Sequence, residues 1–316
     1  MRILILDVNH PYLEEKLTSL GYTCHLDYTS SKESLESKIH LYQGIIIRSR
    51  FKICSNFLDK CTSLKFIVRS GSGLENIDVD YAKKKNIVCM NSPEGSTDAV
   101  AEHSIGMLLS LFNNLNRSDN EVRSGKWNRE KNRGVEIAGK TIGIIGYGNM
   151  GRTFAKKLCG FGSKVLAYDI KRDYADKFAQ EVSIDHLFEQ ADILSFHVPI
   201  DDSTKNMFNE DFVNKFHKPF YLINTSRGGV VSLSDLVSAI KSKKVLGACL
   251  DVLEYEQSSF EMFYDRDVLN DHFKYLINSD KVIFSPHVAG WTVESHIKTA
   301  RVIVEKIISL NENTRD

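Results

Sequence analysis

Thr141-Ile142-Gly143-Ile144-Ile145-Gly146-Tyr147-Gly148-Asn149-Met150-Gly151 decides the fold of this chain. A short strand-forming run enters G-x-G-x-x-G directly, and a helical segment follows. Gly146 permits the tight turn, Gly148 lets a pyrophosphate approach the backbone, and Gly151 lets helix and strand pack closely. A phosphate laid there meets the unpaired N–H groups of the helix N-terminus, so the backbone of Asn149 and Met150 belongs to the same cradle. Asp169 ends the next strand-like run, 18 residues past Gly151. A carboxylate there takes both ribose hydroxyls and repels a 2′-phosphate, which favours NAD over NADP. Lys171 and Arg172 follow closely and pull weakly the other way. Glycines also fill turns for steric reasons alone. The strand, the helix and the carboxylate together favour dinucleotide binding.

Outward from this motif, short apolar runs alternate with amphipathic segments along the whole chain. Before it, the spacing predicts strands at 2–6, 22–26, 44–47, 65–68 and 87–89, with helices at 11–20 and 31–39. After it, strands are expected at 164–168, 192–196, 221–224, 247–250 and 281–284, and a last helix at 292–310. Such alternation predicts βα units and parallel sheets. A long helical stretch over 98–123, with Val100, Ile105, Leu108, Leu109, Phe112 and Leu115 as its apolar positions, separates the two series.

The chain has 316 residues, with 42% apolar and 26% charged content, which suits two soluble domains. Lys+Arg and Asp+Glu both total 41. A binder of nucleic acid or anionic membrane usually shows a basic excess, and none is present. Six cysteines form no C-x-x-C pair, and most sit in apolar runs, so reduced, buried thiols are expected. No signal peptide and no membrane span is evident, so the expected location is cytoplasmic. The histidines show no metal-like spacing, and no metal is expected.

Reducing a 2-oxo acid needs, besides hydride, a cation for the carboxylate, a proton donor for the ketone oxygen and a group that tunes the donor. Arg suits the first role by its two-point fork, and His the second by a pKa near neutrality that an adjacent carboxylate raises. Arg227 in Asn224-Thr225-Ser226-Arg227-Gly228-Gly229, Glu256 in Leu250-Asp251-Val252-Leu253-Glu254-Tyr255-Glu256, and His287 in Ser285-Pro286-His287-Val288-Ala289-Gly290-Trp291 each follow a predicted strand. In parallel sheets, ligands bind outside the carboxyl ends of strands. His103 after Glu102 reads as a core or capping histidine, because the set is complete without it.

These motifs, in this order and spacing, resemble the D-isomer-specific 2-hydroxyacid dehydrogenases over essentially the whole chain. The family includes D-3-phosphoglycerate dehydrogenase, glyoxylate/hydroxypyruvate reductase and D-lactate dehydrogenase. The resemblance implies two doubly wound α/β domains, a Rossmann NAD domain (98–286) inserted into a flavodoxin-like substrate domain (1–97 and 287–316). It implies hinges near Pro93 and Pro286, and a cofactor held between the domains. It implies that Arg227 binds the substrate, that His287 is the general acid/base and that Glu256 is its partner. The turn Ser70-Gly71-Ser72-Gly73 would hold the substrate carboxylate by backbone N–H groups. His197, Val198, Pro199, Thr204, Thr225, Asp251 and Gly290 would contact the cofactor. A homodimer is expected, with Trp127 near its interface.

Ile47-Arg48-Ser49-Arg50-Phe51-Lys52 resembles the segment that carries an arginine to substrate in phosphoglycerate dehydrogenases, and Arg48 is the matching position. Three cations after one strand suggest a doubly anionic substrate such as D-3-phosphoglycerate, and hence serine biosynthesis; Arg50 and Lys52 could equally be solvated surface. The chain ends after one C-terminal helix, so no regulatory domain is expected. Two departures stand out: Gln257 occupies a position that is usually proline, and the interval from Glu256 to His287 is long. That interval holds Phe260, Met262, Phe263, Tyr264, Phe273 and Tyr275. Trp291 could narrow the site. Glyoxylate/hydroxypyruvate reductase is the alternative enzyme, and an NAD-sensing corepressor-like protein the alternative of another class. Formate dehydrogenases carry glutamine where Glu256 stands.

Overall fold

In a computed structural model, which describes residues 1–174, 176–254, 256 and 270–312, the alternation becomes two parallel sheets, each in its own compact unit. The first unit comprises Met1–Ser96 with the chain from Trp291 onward. Its elements are β1 (Arg2–Ile5), α1 (Tyr12–Ser19), β2 (Thr23–Leu26), α2 (Lys32–Lys38), β3 (Gly44–Ile47), α3 (Ser55–Asp59), β4 (Phe66–Arg69), α4 (Val79–Lys84) and β5 (Val88–Met90). The sheet order is β2-β1-β3-β4-β5. Successive strand residues face opposite sides. Ile3, Ile5, Ile46, Phe66 and Val68 pack against Leu13 and Leu17 and against Ala300, Ile303, Val304 and Ile307 of the C-terminal helix, Val293–Glu312. Leu4, Leu6, Ile45, Ile47 and Ile67 pack on the other face against Leu35, Phe57 and Leu58. Burial on both faces explains the unbroken apolar run of β3. Each such Leu or Ile contributes about 1.5–3 kcal/mol of transfer free energy.

The second unit runs from Thr97 to Gly290 and therefore contains His287. The stretch expected as one helix is two, α5 (Thr97–Phe112) and α6 (Leu115–Arg123), because Asn114 takes a left-handed conformation at φ 50°. Asparagine adopts that conformation at low cost, so Asn113-Asn114 was the signal for the break. Next come β6 (Thr141–Ile145), α7 (Asn149–Leu158), β7 (Lys164–Tyr168), β8 (Gln180–Glu181), α8 (Ile184–Gln190), β9 (Ile193–Phe196), α9 (Glu210–Asn214), β10 (Phe220–Asn224), α10 (Leu233–Lys241), β11 (Val245–Leu250), α11 (Asp271–Ile277) and β12 (Val282–Phe284). The order is β12-β11-β10-β9-β6-β7-β8, with β8, a two-residue edge strand, unforeseen. α11 buries Phe273 and Leu276, so part of the long interval before His287 is a packed element. Among the described residues, no helix is long and apolar enough to cross a membrane.

Each sheet has one point where strand order reverses: between β1 and β3 in the first unit, and between β6 and β9 in the second. Loops that leave the carboxyl ends of such a pair diverge and open a crevice for a ligand. His10 and Arg48 follow β1 and β3, whereas Gly146 and His197 follow β6 and β9.

Candidate active site

The glycine loop has the form that a bound pyrophosphate requires. Gly146 has φ 91°, and a Cβ there would lie 2.5 Å from the His197 carbonyl oxygen. A Cβ on Gly151 would strike the Gly146 carbonyl oxygen, so this glycine sets helix-to-strand packing. At Gly148 a Cβ would meet nothing within 4 Å, although the backbone is extended, at φ −79°. Gly148 thus leaves room for a ligand rather than for protein. The Asp169 carboxylate accepts from Tyr147 N at 2.7 Å and from Lys171 N at 3.0 Å, which ties it to the loop. The residues present therefore fit a dinucleotide. Tyr147 packs inward, and its hydroxyl donates to Asp176 at 2.8 Å. Burial raises that phenol's pKa, and the Asp176 charge adds to the effect.

Other residues expected at the cofactor follow neighbouring strands of the same sheet, His197 after β9 and Thr225 after β10. Burial pushes the His197 imidazole down to about 4, and Ser195 Oγ lies 2.9 Å from its Nε2. Val198 packs against the core, and the Pro199 carbonyl accepts from Thr204 Oγ1 at 2.7 Å. Thr204 Oγ1 also accepts from Asp201 N at 2.9 Å, so it holds the 199–204 turn. Thr225, buried after β10, lies 3.0 Å from Ser104 of α5 through their hydroxyl oxygens.

His287 and Glu256 meet: Nδ1 of the imidazole is 2.9 Å from the Glu256 carboxylate. The carboxylate can only accept, so Nδ1 carries the proton. The Arg227 turn is brought to the same region. A Cβ on Gly228 would strike the Leu253 carbonyl oxygen, which itself accepts from Glu256 N at 3.1 Å. Arg227 Nη1 donates to the Ser226 carbonyl oxygen at 2.7 Å, and the Asn224 amide bonds the Arg227 carbonyl at 3.0 Å. Glu254, two residues before Glu256, accepts from Leu233 N at 3.0 Å at the start of α10, a structural role.

Sequence reading missed what aims His287. Its backbone is left-handed, at φ 54°, which costs a non-glycine residue about 1–2 kcal/mol. Asp251, almost wholly buried, holds it there. The Asp251 carboxylate accepts from Val288 N and Ala289 N, each at 2.9 Å, and from Ser285 Oγ at 2.5 Å. The Asp251 carbonyl accepts from His287 N at 2.8 Å. Ser285 spends its one proton on the carboxylate, so His103 Nε2, 2.8 Å away, donates to Ser285. His103 thus supports the 285–289 loop through Ser285, rather than serving as a cap or a core filler. Gly290 follows Ala289 at the end of this clamp. Gln257 and the apolar residues Phe260, Met262, Phe263 and Tyr264 lie outside the described residues.

In the first unit, the turn after β4 is partly engaged by its own surroundings. Ser70 N donates to the Ile47 carbonyl at 2.8 Å, and Gly71 N to the Arg69 carbonyl and Ser92 Oγ, both at 2.9 Å. Ser70 Oγ donates to Asn9 at 2.7 Å. Only the N–H groups of Ser72 and Gly73 have no acceptor among the described residues, so they are the donors the turn can offer a carboxylate. Arg50 is a clamp: its guanidinium donates to the carbonyls of Leu6, at 3.1 Å, Asp27 and Ser30. Lys52 is exposed. Of the three cations after β3, Arg48 alone has its guanidinium under an aromatic ring, that of Trp291, 4.2 Å from the centroid.

Comparison with known proteins agrees with this geometry. The family model described as D-isomer specific 2-hydroxyacid dehydrogenase, NAD binding domain, matches residues 105–289. The chain is 33% identical to the hydroxypyruvate reductase of Thermotoga maritima, over 95% of this chain and 96% of that one. It is 31% identical to the D-3-phosphoglycerate dehydrogenase of Archaeoglobus fulgidus, over 98% of this chain but 57% of the longer relative. The structure of D-lactate dehydrogenase from Aquifex aeolicus, complexed with NAD and lactic acid, superposes with a TM-score of 0.83 at 28% identity, over 98% of this chain and 96% of that one. Fold, glycine loop, paired histidine and glutamate, and full-length relatives converge: this chain belongs to the NAD-dependent D-isomer specific 2-hydroxyacid dehydrogenase family.

Proposed function

We propose that the protein interconverts D-3-phosphoglycerate and 3-phosphohydroxypyruvate with NAD, the oxidation that opens serine biosynthesis. The observation that carries the catalytic part is the 2.9 Å contact of His287 Nδ1 with Glu256. NADH, which the 146–151 loop and Asp169 would hold, would supply the hydride for C2 of the oxo acid. His287 Nε2 gives the proton that the developing alkoxide takes up, and Glu256 holds the ring in place through Nδ1. The Arg227 guanidinium binds the carboxylate and polarises the ketone. N–H groups of Ser72 and Gly73 hold the carboxylate, and Arg48 takes the phosphate. The crevice wall of His197, Val198, Pro199, Thr204, Thr225, Asp251 and Gly290 lies along the cofactor.

The phosphate assignment rests on Arg48, whose guanidinium forms no ion pair within 4 Å among the described residues, the nearby Asp7 carboxylate accepting from its main-chain N–H instead. Hydroxypyruvate as substrate is the second reading, favoured by the near full-length match to a hydroxypyruvate reductase. We further propose a homodimer, supported by the exposed apolar residues Leu115, Val122 and Trp127, the last 78% exposed. Six free cysteines suit a cytoplasmic location. Chiral analysis of the product formed from phosphohydroxypyruvate and NADH tests the reaction: the D-isomer is expected, and the L-isomer, or no product, would refute it.

A further inference from the structure

Tyr147 fills the first variable place of G-x-G-x-x-G, where cofactor binding uses the main chain alone. Its side chain is buried all the same. The phenol donates to Asp176 Oδ1 at 2.8 Å, and that oxygen also accepts from Phe178 N at 2.8 Å and Ala179 N at 3.3 Å. Arg152 of α7 completes the group. Its guanidinium lies 5.4 Å from the Tyr147 ring centroid and 3.4 Å from Asp176 Oδ2, and it donates to the Tyr174 carbonyl at 3.3 Å. The Tyr174 ring sits 5.5 Å from that of Tyr147, and its hydroxyl donates to the Ala167 carbonyl of β7 at 2.8 Å. All of these residues belong to the second unit.

The group does more than fill space. Tyr147 N donates to Asp169 and the Tyr147 hydroxyl to Asp176, so one residue ties down two points, seven residues apart, of the segment that leaves β7. An apolar side chain would fill this space at lower free energy than a carboxylate, one of whose oxygens, Oδ2, is buried without a hydrogen bond. What a carboxylate with three donors supplies over an apolar contact is a fixed position. That position matters at Asp169. Each of its oxygens takes one main-chain donor, Tyr147 N at 2.7 Å or Lys171 N at 3.0 Å, and keeps a lone pair for a ribose hydroxyl. Just past it, Lys171 and Arg172 are exposed, and Asp173 turns the chain through a left-handed φ of 59°. Two cations beside a ribose site are the groups that a 2′-phosphate would recruit if the segment were free to rearrange.

We infer that Tyr147, Arg152 and Asp176 are positioning residues for cofactor selection. They fix Asp169 for the adenosine ribose and keep the Lys171-Arg172 turn from rearranging around a 2′-phosphate. The preference for NAD over NADP is thus set by this buried latch as well as by the Asp169 carboxylate itself.

Binding alone tests the latch, with no substrate present. Calorimetry on the full chain compares NADH with NADPH, and ADP-ribose with its 2′-phosphate, for wild type, Tyr147→Phe, Asp176→Ala and Asp176→Asn. Wild type should bind each 2′-hydroxyl compound more tightly than its 2′-phosphate. In Tyr147→Phe and Asp176→Ala that ratio of dissociation constants should fall about 10-fold. The same fall is expected for the ADP-ribose pair, which lacks nicotinamide. Asp176→Asn keeps an oxygen for the Tyr147 phenol and should retain most of the ratio. Should Asp176→Ala not fold, Tyr147→Phe, which keeps the ring, decides. A role in stability alone lowers the melting temperature and weakens both members of each pair together, so unchanged ratios in folded variants overturn the latch. A wild type that does not discriminate, a change confined to the whole dinucleotides, or an Asp176→Asn as relaxed as Asp176→Ala overturns it too.

Discussion

Asp251→Asn tests the claim that a buried carboxylate aims the catalytic histidine. The wild-type carboxylate accepts from Val288 N, Ala289 N and Ser285 Oγ. An asparagine keeps one oxygen, so one of these donors must face an amide NH2 group instead. Loss of one charge-assisted bond, plus a buried donor left unpaired, sums to about 2–4 kcal/mol. That exceeds the ~1–2 kcal/mol needed to hold a left-handed His287, so the segment relaxes. A displacement of about 1 Å at the acid/base costs on the order of 100-fold in rate. The expected result is therefore a kcat about 100-fold lower, with NADH affinity, read by fluorescence quenching, changed far less. The melting temperature of the second unit should drop by roughly 5–12 °C. Wild-type kcat and melting temperature in the folded variant would refute the clamp.

Four further outcomes follow from the same geometry. Gly148→Ala should leave the melting temperature nearly unchanged, since its Cβ meets no protein atom, and weaken NADH about 10-fold or more. Gly151→Ala should instead lower stability, because its Cβ strikes the Gly146 carbonyl; urea titration separates the two. Ser285→Ala and His103→Phe should each cut kcat several-fold, and His103→Gln, which keeps a donor near Nε2, should restore part of it; equal losses in both His103 variants would contradict the assigned donor. His197 is neutral when folded, with a pKa of about 4 against 6.5 for the free side chain. Its contribution is thus intact above pH 6.5 and is lost as pH falls toward 4, by up to about 3 kcal/mol. His197→Phe should flatten that part of the stability-against-pH curve.

The sheets were legible because parallel strands buried on both faces read as short apolar runs, and the glycine loop because its steric demands are local. Residue types at strand ends were enough to nominate Arg227, Glu256 and His287. What failed was anything decided by contacts distant in sequence. Asp251 offered a carboxylate in the right region, but its role as the loop's anchor depends on Ser285, Val288 and Ala289 arriving from the next strand. The role of His103 was not legible, because its partner, Ser285, lies 182 residues away. Arg50 and Arg48 are two residues apart and look alike in sequence. One is bonded by three carbonyls, and the other lies against Trp291, brought in by the C-terminal helix. Gly71 carried a recognisable motif, yet its N–H is occupied by Arg69 and Ser92.

The central claim is that His287, oriented by Glu256, is the acid/base of an NAD-dependent hydride transfer to a 2-oxo acid. The most direct measurement follows nicotinamide absorbance while wild type and His287→Ala act on phosphohydroxypyruvate, hydroxypyruvate, glyoxylate and pyruvate, with NADH binding measured in parallel. Wild-type turnover with at least one of these, lost in a folded His287→Ala that still binds NADH, is the predicted result. No turnover with any of them, or a His287→Ala variant as fast as wild type, would contradict the account.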